Sequence, residues 1–422
     1  MICRNCKSKK FKKISKIGNQ PISSLFLKKK IQIKDYSLDL YKCNNCDLVQ
    51  LSKIPNLKDM YGSDYGYKTS VSQLMVTHLK KKLLKLNKFR VLNKKSKILD
   101  IGSNDGTFLN FFSKSKKQYD LYGIDPSASA FIDSYDKNIN VIVDFFNKKN
   151  VEEHFIKTKI NFSLITSYAV FYDIEEPNEF CAGIEKILDK NGIWILEFSY
   201  FPLLLKNLTY DQICHEHCIY YSLSTFHEII SKNNLKIVDF NLNEINGGSI
   251  EVICAKKNSR FKSKVKKIKN ILKEEKKISN RDFDKFNLRM ENSKKNLQLF
   301  LKNQNKKDVI GYGASTKGNV ILNYCNLNNK DISFVCDANP SKEGKFTPGS
   351  HIEIISKDKM RKIKPKYLIV LIWSFRTEVI KQEKKFIENG GKLIFPLPVF
   401  HVIDKENYKR YLKEDFTLFS FA

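Results

Sequence analysis

Twice along this chain a short apolar run ends on a glycine turn and passes straight into a helical pattern. The two units are Lys97-Ile-Leu-Asp-Ile-Gly-Ser-Asn-Asp-Gly106 and Asp308-Val-Ile-Gly-Tyr-Gly-Ala-Ser-Thr-Lys-Gly318. A strand can feed a helix through so tight a bend only where residues without a Cβ take it, and the helix must then lie over the strand's own sheet. Further apolar runs at 119–125, 162–166 and 192–197 follow the first unit, and runs at 332–337, 367–373 and 392–396 follow the second. Amphipathic stretches separate them, so two mainly parallel α/β domains are predicted. Residues 259–306 contain neither Gly nor Pro, and Val265, Ile268, Ile271 and Leu272 repeat at helical spacing. That stretch reads as a helical connector solvated on most of its surface. The expected division is 1–60, 61–255, 256–307 and 308–422, in line with the two to four units that 422 residues imply.

The first 60 residues carry Cys3-x-x-Cys6 and Cys43-x-x-Cys46. Each pair is a tight turn that brings two thiolates together, and four thiolates close a tetrahedral shell around zinc with no position left for water. The predicted ligands are Cys3, Cys6, Cys43 and Cys46, the metal is structural, and the alternative is a redox CxxC. The long gap between the pairs implies an insertion, not a different chemistry.

The net charge of +30, from 75 Lys plus Arg against 45 Asp plus Glu, invites a polyanion reading. Only eight of the basic residues are Arg, the residue that grips phosphate and guanine bidentately, and the lysines are spread over the whole chain. No nucleic-acid partner is expected. The longest apolar run, 368–373, is far too short for a membrane span, and the start of the chain has no signal-peptide core. No membrane partner, a cytoplasmic location and a monomer or weak homo-oligomer are expected.

In the first glycine turn, Gly102 and Gly106 let the backbone approach a ligand, and Asp125 ends the next strand, where a carboxylate can accept the hydroxyl protons of a ribose. Asp100, Asn104 and Asp105 make this turn acidic and polar. It lacks the G-x-G-x-x-G spacing of a pyrophosphate loop and suits a ligand bearing an ammonium group, which S-adenosylmethionine is. In the second turn, Gly313, Ser315 and Lys317 offer amides and an ammonium near a helix N-terminus, a site for a diphosphate. Lys342 and Lys345 follow and could face the same group. Trp373 and Phe375 read either as base-stacking rings or as buried core aromatics.

The segment Tyr210-Asp-Gln-Ile-Cys-His-Glu-His-Cys-Ile-Tyr-Tyr-Ser222 lies between the two turns. With the cysteine pairs and both glycine motifs, it resembles the S-adenosylmethionine-dependent sugar C-methyltransferases that act on nucleotide-linked 4-keto-deoxysugars. The resemblance covers nearly the whole chain. It implies an α/β fold with a class I methyltransferase Rossmann-like domain, a small N-terminal zinc module and a second, C-terminal Rossmann-like domain that helps to hold the nucleotide sugar. It further implies that His217 removes the proton beside the ketone, supported by Glu216 and His215, after which the enolate takes the methyl group. A histidine suits proton transfer near neutral pH. Without the resemblance, His215 and His217 read equally as satisfied structural histidines.

Two positions differ from the family pattern: Cys214 stands where a tyrosine usually precedes His-Glu-His, and Asp173 where a histidine often follows the fourth strand. The missing hydroxyl would come from Tyr65, Tyr67, Tyr220 or Tyr221, and Tyr221 is taken as a substrate contact. Methyl transfer to another acceptor such as RNA, or a non-catalytic polyanion-binding role, are the competing readings.

Overall fold

The computed structural model describes residues 1–56, 60 and 67–413. In the N-terminal region β1 (Phe11–Lys13), β4 (Leu40–Cys43) and β5 (Val49–Leu51) pair antiparallel, while β2 (Asn19–Pro21) and β3 (Asp35–Ser37) form a separate two-stranded ribbon. The apolar register of β4 and β5 buries Leu40, Val49 and Leu51, and the turn between the strands carries Cys43 and Cys46.

Helix α1 (Gln73–Leu86) leads to β6 (Lys97–Ile101), the first of the predicted runs, and helix α2 (Thr107–Ser113) follows its glycine turn. Then come β7 (Asp120–Ile124), β8 (Ile139–Ile142), β9 (Phe162–Tyr168) and β10 (Leu188–Ser199). The two-residue strand β11 (Ile219–Tyr220) leaves this domain altogether and pairs with β5, completing the N-terminal sheet. β12 (Leu235–Asn243) and β13 (Ser249–Lys256) return as a hairpin, giving the seven-stranded order β12-β13-β10-β9-β6-β7-β8 with β13 antiparallel to both neighbours. Ile98, Leu99 and Ile101 of β6 are all buried, as expected for a central strand covered on both faces.

Two helices form the connector, α3 (Val265–Glu275) and α4 (Asn280–Lys302). The capping box of Ser279 and Asp282 starts α4, and Phe283, Phe286, Met290, Leu297 and Leu301 form the stripe that it buries against the C-terminal core. That core surrounds β14 (Val309–Tyr312), β15 (Phe334–Asp337), β16 (Ile354–Ser356), β17 (Tyr367–Val370), β18 (Lys392–Phe395) and β19 (His401–Ile403), with helix α5 (Thr316–Tyr324) after β14. The order is β16-β15-β14-β17-β18-β19, parallel except for β19, which is the arrangement of a dinucleotide-binding sheet.

Candidate active site

A cavity of 960 Å³ lies where the carboxyl ends of the two large sheets face each other. In open α/β sheets such a crevice is where ligands bind. From the first sheet it is lined by Asp100, Gly102, Asn104, Asp125, Tyr168 and Glu197, and from the second by Ser315, Thr316, Lys317, Ile372 and Phe375. His217, Glu216, Cys214 and Asp211 line it between the two. Nine lining residues are Asp or Glu, whereas one is Lys and none is Arg. All nine acidic residues come from positions 100–216 and the lysine from the second domain, so in a chain with a +30 balance the acidic half of the wall suits a cationic ligand and any anionic group belongs on the other half.

On the first sheet the turn is held together by Asp125. One of its oxygens accepts from the Asn104 amide at 2.8 Å, and the other from the Ser127 amide and hydroxyl at 2.7 and 2.6 Å. Oδ2, which accepts only from Asn104, keeps a lone pair for a ligand hydroxyl, whereas Oδ1 is filled by Ser127. Asp100 accepts from the Thr166 hydroxyl at 2.6 Å, and burial pushes its carboxyl up to about 7. A Cβ on Gly102, whose φ is +72°, would stand 2.2 Å from Val170 Cγ2, so only glycine permits this approach.

Asp105 and Gly106 do not line the cavity, which corrects their expected ligand contact. Asp105 is spent on the Thr107 amide and hydroxyl and on the Ser70 amide, and Gly106 supplies the left-handed turn under Tyr135. Their work is to fix the turn. Together with Asn104, which accepts from Thr69 and donates to the Tyr67 carbonyl, they also hold residues 67–71 at the cavity rim. Tyr67 lines the cavity, whereas Tyr65 lies outside the described residues.

The His-Glu-His segment is a turn, and its two histidines diverge. His217 donates from Nδ1 to the Gln212 carbonyl at 2.8 Å, because a carbonyl can only accept. The lone pair is therefore on Nε2, and burial, aided by the Lys317 charge, holds the ring down to about 3, so it is neutral. Both oxygens of Glu216 are buried without a hydrogen-bond partner among the described residues, and so is Oδ1 of Asp211. Bare carboxylate oxygens in a cavity wall are sites for donors on a ligand.

His215 points elsewhere, its Nε2 3.3 Å from the Tyr36 carbonyl and its ring edge-on to Tyr36. It does not line the cavity and cannot directly assist His217. Tyr221 is likewise corrected: it follows β11 directly and is fully buried among Phe171, Phe198 and Phe226, while Tyr220 before it faces the other core.

In the second turn Ser315 caps α5 by accepting from the Gly318 amide, while Gly313, expected to touch the substrate, does not line the cavity, and a Cβ there would meet Ile372 at 2.6 Å. Lys342 does not line the cavity: its ammonium donates to the Ala314 carbonyl at 2.7 Å, lies over the Phe26 ring and is 3.8 Å from Asp337. Trp373 is buried and donates to Asp211 at 2.9 Å, and Phe375 lines the cavity.

One group of residues was missed. His78 and Lys82, one turn apart on α1, reach Glu197 at 2.8 and 2.6 Å, and Lys82 also pairs with Glu251. Burial alone would raise the Glu197 carboxyl, but the His78 hydrogen bond and the Lys82 charge overcome it and hold the group down to about 2. The spacing of His78 and Lys82 was visible; their acid partners, more than 100 residues away, were not.

The cysteine pairs meet as expected. Four Sγ atoms lie within 4.8 Å of one another, with Cys3 to Cys46 at 3.5 Å and Cys6 to Cys43 at 3.6 Å. A tetrahedron with zinc to sulfur bonds of about 2.3 Å has edges of about 3.8 Å, so the donors fit zinc and leave no open position. Both pairs are the same turn: Lys7 donates to the Cys3 carbonyl, Asp47 to the Cys43 carbonyl, and both residues have φ near +60°.

Comparison with known proteins agrees with this geometry. Residues 3–61 match the family described as "Putative zinc binding domain", 75–239 "Methyltransferase domain", and 244–398 "C-methyltransferase C-terminal domain". C-methyltransferase NovU of Streptomyces niveus is 29% identical over 379 residues, spanning 88% of this chain and 89% of the relative. The chain belongs to the S-adenosylmethionine-dependent C-methyltransferases.

Among solved structures, plantazolicin methyltransferase BpumL in complex with a pentazolic desmethylPZN analog and SAH aligns with 43% of the C-methyltransferase and 85% of its own chain, at 15% identity and a TM-score of 0.35. An S-adenosylmethionine-dependent methyltransferase from Clostridium acetobutylicum aligns with 42% of it and 89% of its own chain, at 11% identity and a TM-score of 0.32. No described helix is long and apolar enough to cross a membrane.

Proposed function

We propose that the enzyme methylates the carbon beside the ketone of a nucleotide-linked keto-deoxysugar, with His217 as the base. The observation that carries this reading is the state of His217, a neutral ring whose Nδ1 proton is committed to Gln212, leaving an Nε2 lone pair in a cavity shared by both glycine turns. A carbon beside a carbonyl is acidified enough for such a base to act on it when the two are held in place. Bound at Asp100, Gly102, Asn104 and Asp125, S-adenosylmethionine supplies an electrophilic methyl group. The acidic lining of that half suits its ammonium and sulfonium charges.

The acceptor would be anchored from the other side, at the amino end of α5 where Ser315 and Thr316 line the cavity, and Phe375 offers a ring face. Glu216, with two bare oxygens, would accept from a hydroxyl or amino group of the sugar. With one Lys and no Arg, the lining offers no basic track for the phosphate backbone of RNA. Incubation with isotopically labelled methyl donor and a panel of nucleotide keto-deoxysugars should add one labelled methyl to one of them and release S-adenosylhomocysteine. Transfer to RNA with none to the sugars would replace this reading.

A further inference from the structure

Lys317 begins in the position of a phosphate-binding lysine, next to the amino end of α5, but its side chain crosses to the other domain. Its Nζ donates to Oδ1 of Asn246 at 2.7 Å, and the Asn246 carbonyl accepts from the Gln212 side chain. Gln212 is the residue whose own carbonyl fixes Nδ1 of His217. Base and ammonium are thereby mounted on one hydrogen-bonded piece, and both line the cavity. Lys317 is also the one Lys or Arg among the described residues of that lining. Only one of its three protons is used on Asn246.

A neutral imidazole is a weak base for a carbon acid, and the step needs a positive group where the enolate charge collects. Burial lowers the affinity of Lys317 for its proton while Asp211 and Cys214 oppose that effect, and Lys317 in turn helps to keep His217 neutral, so the three groups share one field.

We infer that Lys317 is a catalytic residue that holds the oxygen of the substrate enolate, and is not a grip on the diphosphate. The inference rests on the enolate chemistry proposed above. The proton beside the ketone passes to Nε2 of His217, its bonding pair forms the carbon–carbon double bond, and the carbonyl π pair moves to the oxygen, facing the Lys317 ammonium. When the carbon then attacks the methyl group, the bond from methyl to sulfur breaks with its pair left on sulfur, and the carbonyl re-forms.

The test separates the half-reaction from the whole. With the full chain and the nucleotide keto-sugar it methylates, exchange of the proton beside the ketone is followed in D2O without methyl donor, and methyl transfer is followed in steady state. Lys317→Met should slow exchange and kcat together by about 100-fold to 1000-fold, the size of losing one oxyanion donor, with KM nearly unchanged. Lys317→Arg should restore part of both rates. Asn246→Ala, which keeps the ammonium and frees its anchor, should lower kcat by about ten-fold at unchanged KM and covers the case in which Lys317→Met does not fold. A rise in KM with kcat intact in Lys317→Met would make the residue a diphosphate grip and overturn the inference alone. Absence of both exchange and transfer in the unmodified enzyme would instead overturn the function on which it rests, and the inference with it.

Discussion

The first strand of each large sheet ends in a glycine of positive φ, +72° at Gly102 and +96° at Gly313. In each, that glycine's amide is held at 2.8 Å by the last carbonyl region of the neighbouring strand, Ile124 in one and Cys336 in the other. The local backbone is nearly the same, yet the side chains that follow are of opposite character. After Gly102 come Asn104 and Asp105, with Asp125 beside them; after Gly313 come Ser315 and Lys317, and Asp337 opposite is spent on the Asn339 amide of its own turn. Two copies of one piece of backbone thus carry side chains of opposite character, which is what the proposed division between methyl donor and nucleotide sugar requires.

The largest effect should come from the group standing between the two turns. His217→Gln keeps a hydrogen-bonding side chain but no base, and should lower kcat by about 100-fold to 10,000-fold in the methyl-transfer assay, with methyl-donor affinity retained by calorimetry. Next is the metal: Cys43→Ser, or chelation, should release the single zinc by atomic absorption and destabilise the N-terminal module by several kcal/mol, visible as an early thermal transition.

The two glycines test the comparison directly. Gly102→Ala forces its Cβ onto Val170 and Gly313→Ala onto Ile372 at 2.6 Å, each at a cost of about 1–3 kcal/mol. The first should weaken binding of S-adenosylhomocysteine and spare the nucleotide, and the second should do the reverse. A shared loss in both variants would mean that the turns do not divide the ligands.

Proton linkage gives a smaller signal. His217 is held neutral in the fold down to about 3, while in the unfolded chain it takes up a proton below its ordinary value near 6.5. Between those limits the unfolded state binds the extra proton, so this group makes stability fall as pH falls, by at most about 1.4 kcal/mol per unit. Asp211, pushed up to about 6 by burial, acts in the opposite direction: its contribution is present below the ordinary carboxylate range near 4 and is lost as pH rises through 6. Urea unfolding of His217→Gln across pH 4 to 7 should therefore show a flatter acid slope than the parent. Finally, Lys285→Gln with Lys295→Gln on exposed positions of α4 should leave kcat and both affinities unchanged, as expected for charge that faces no ligand.

The glycine units, the parallel runs and the cysteine pairs were legible because each is a local pattern: a period, a turn residue, a spacing. The runs at 119–125, 162–166 and 367–373 became β7, β9 and β17 for that reason. What sequence did not disclose was set by distant partners. Lys317 reads as a phosphate lysine from its neighbours, but Asn246 and Asp211, 71 and 106 positions away, decide where its charge lies. Tyr221 and His215 sit in the most distinctive segment of the chain, yet the direction of each side chain depends on β5 and Tyr36, which lie in the N-terminal region. Spacing identified the segment as important and could not say which of its residues face inward.

That segment ends just after β11, which pairs with β5 a few residues beyond the second cysteine pair, while Tyr210 at its start touches Cys325 and packs at a tilt against Tyr324 at the end of α5. The stretch that carries His217 is thus stitched at one end to the sheet of the cysteine pairs and at the other to α5. The parts of this enzyme are consequently not interchangeable cassettes. A chimera that imports a foreign zinc module must also bring a matching edge for β11, or it will assemble three sound domains around a misplaced His217.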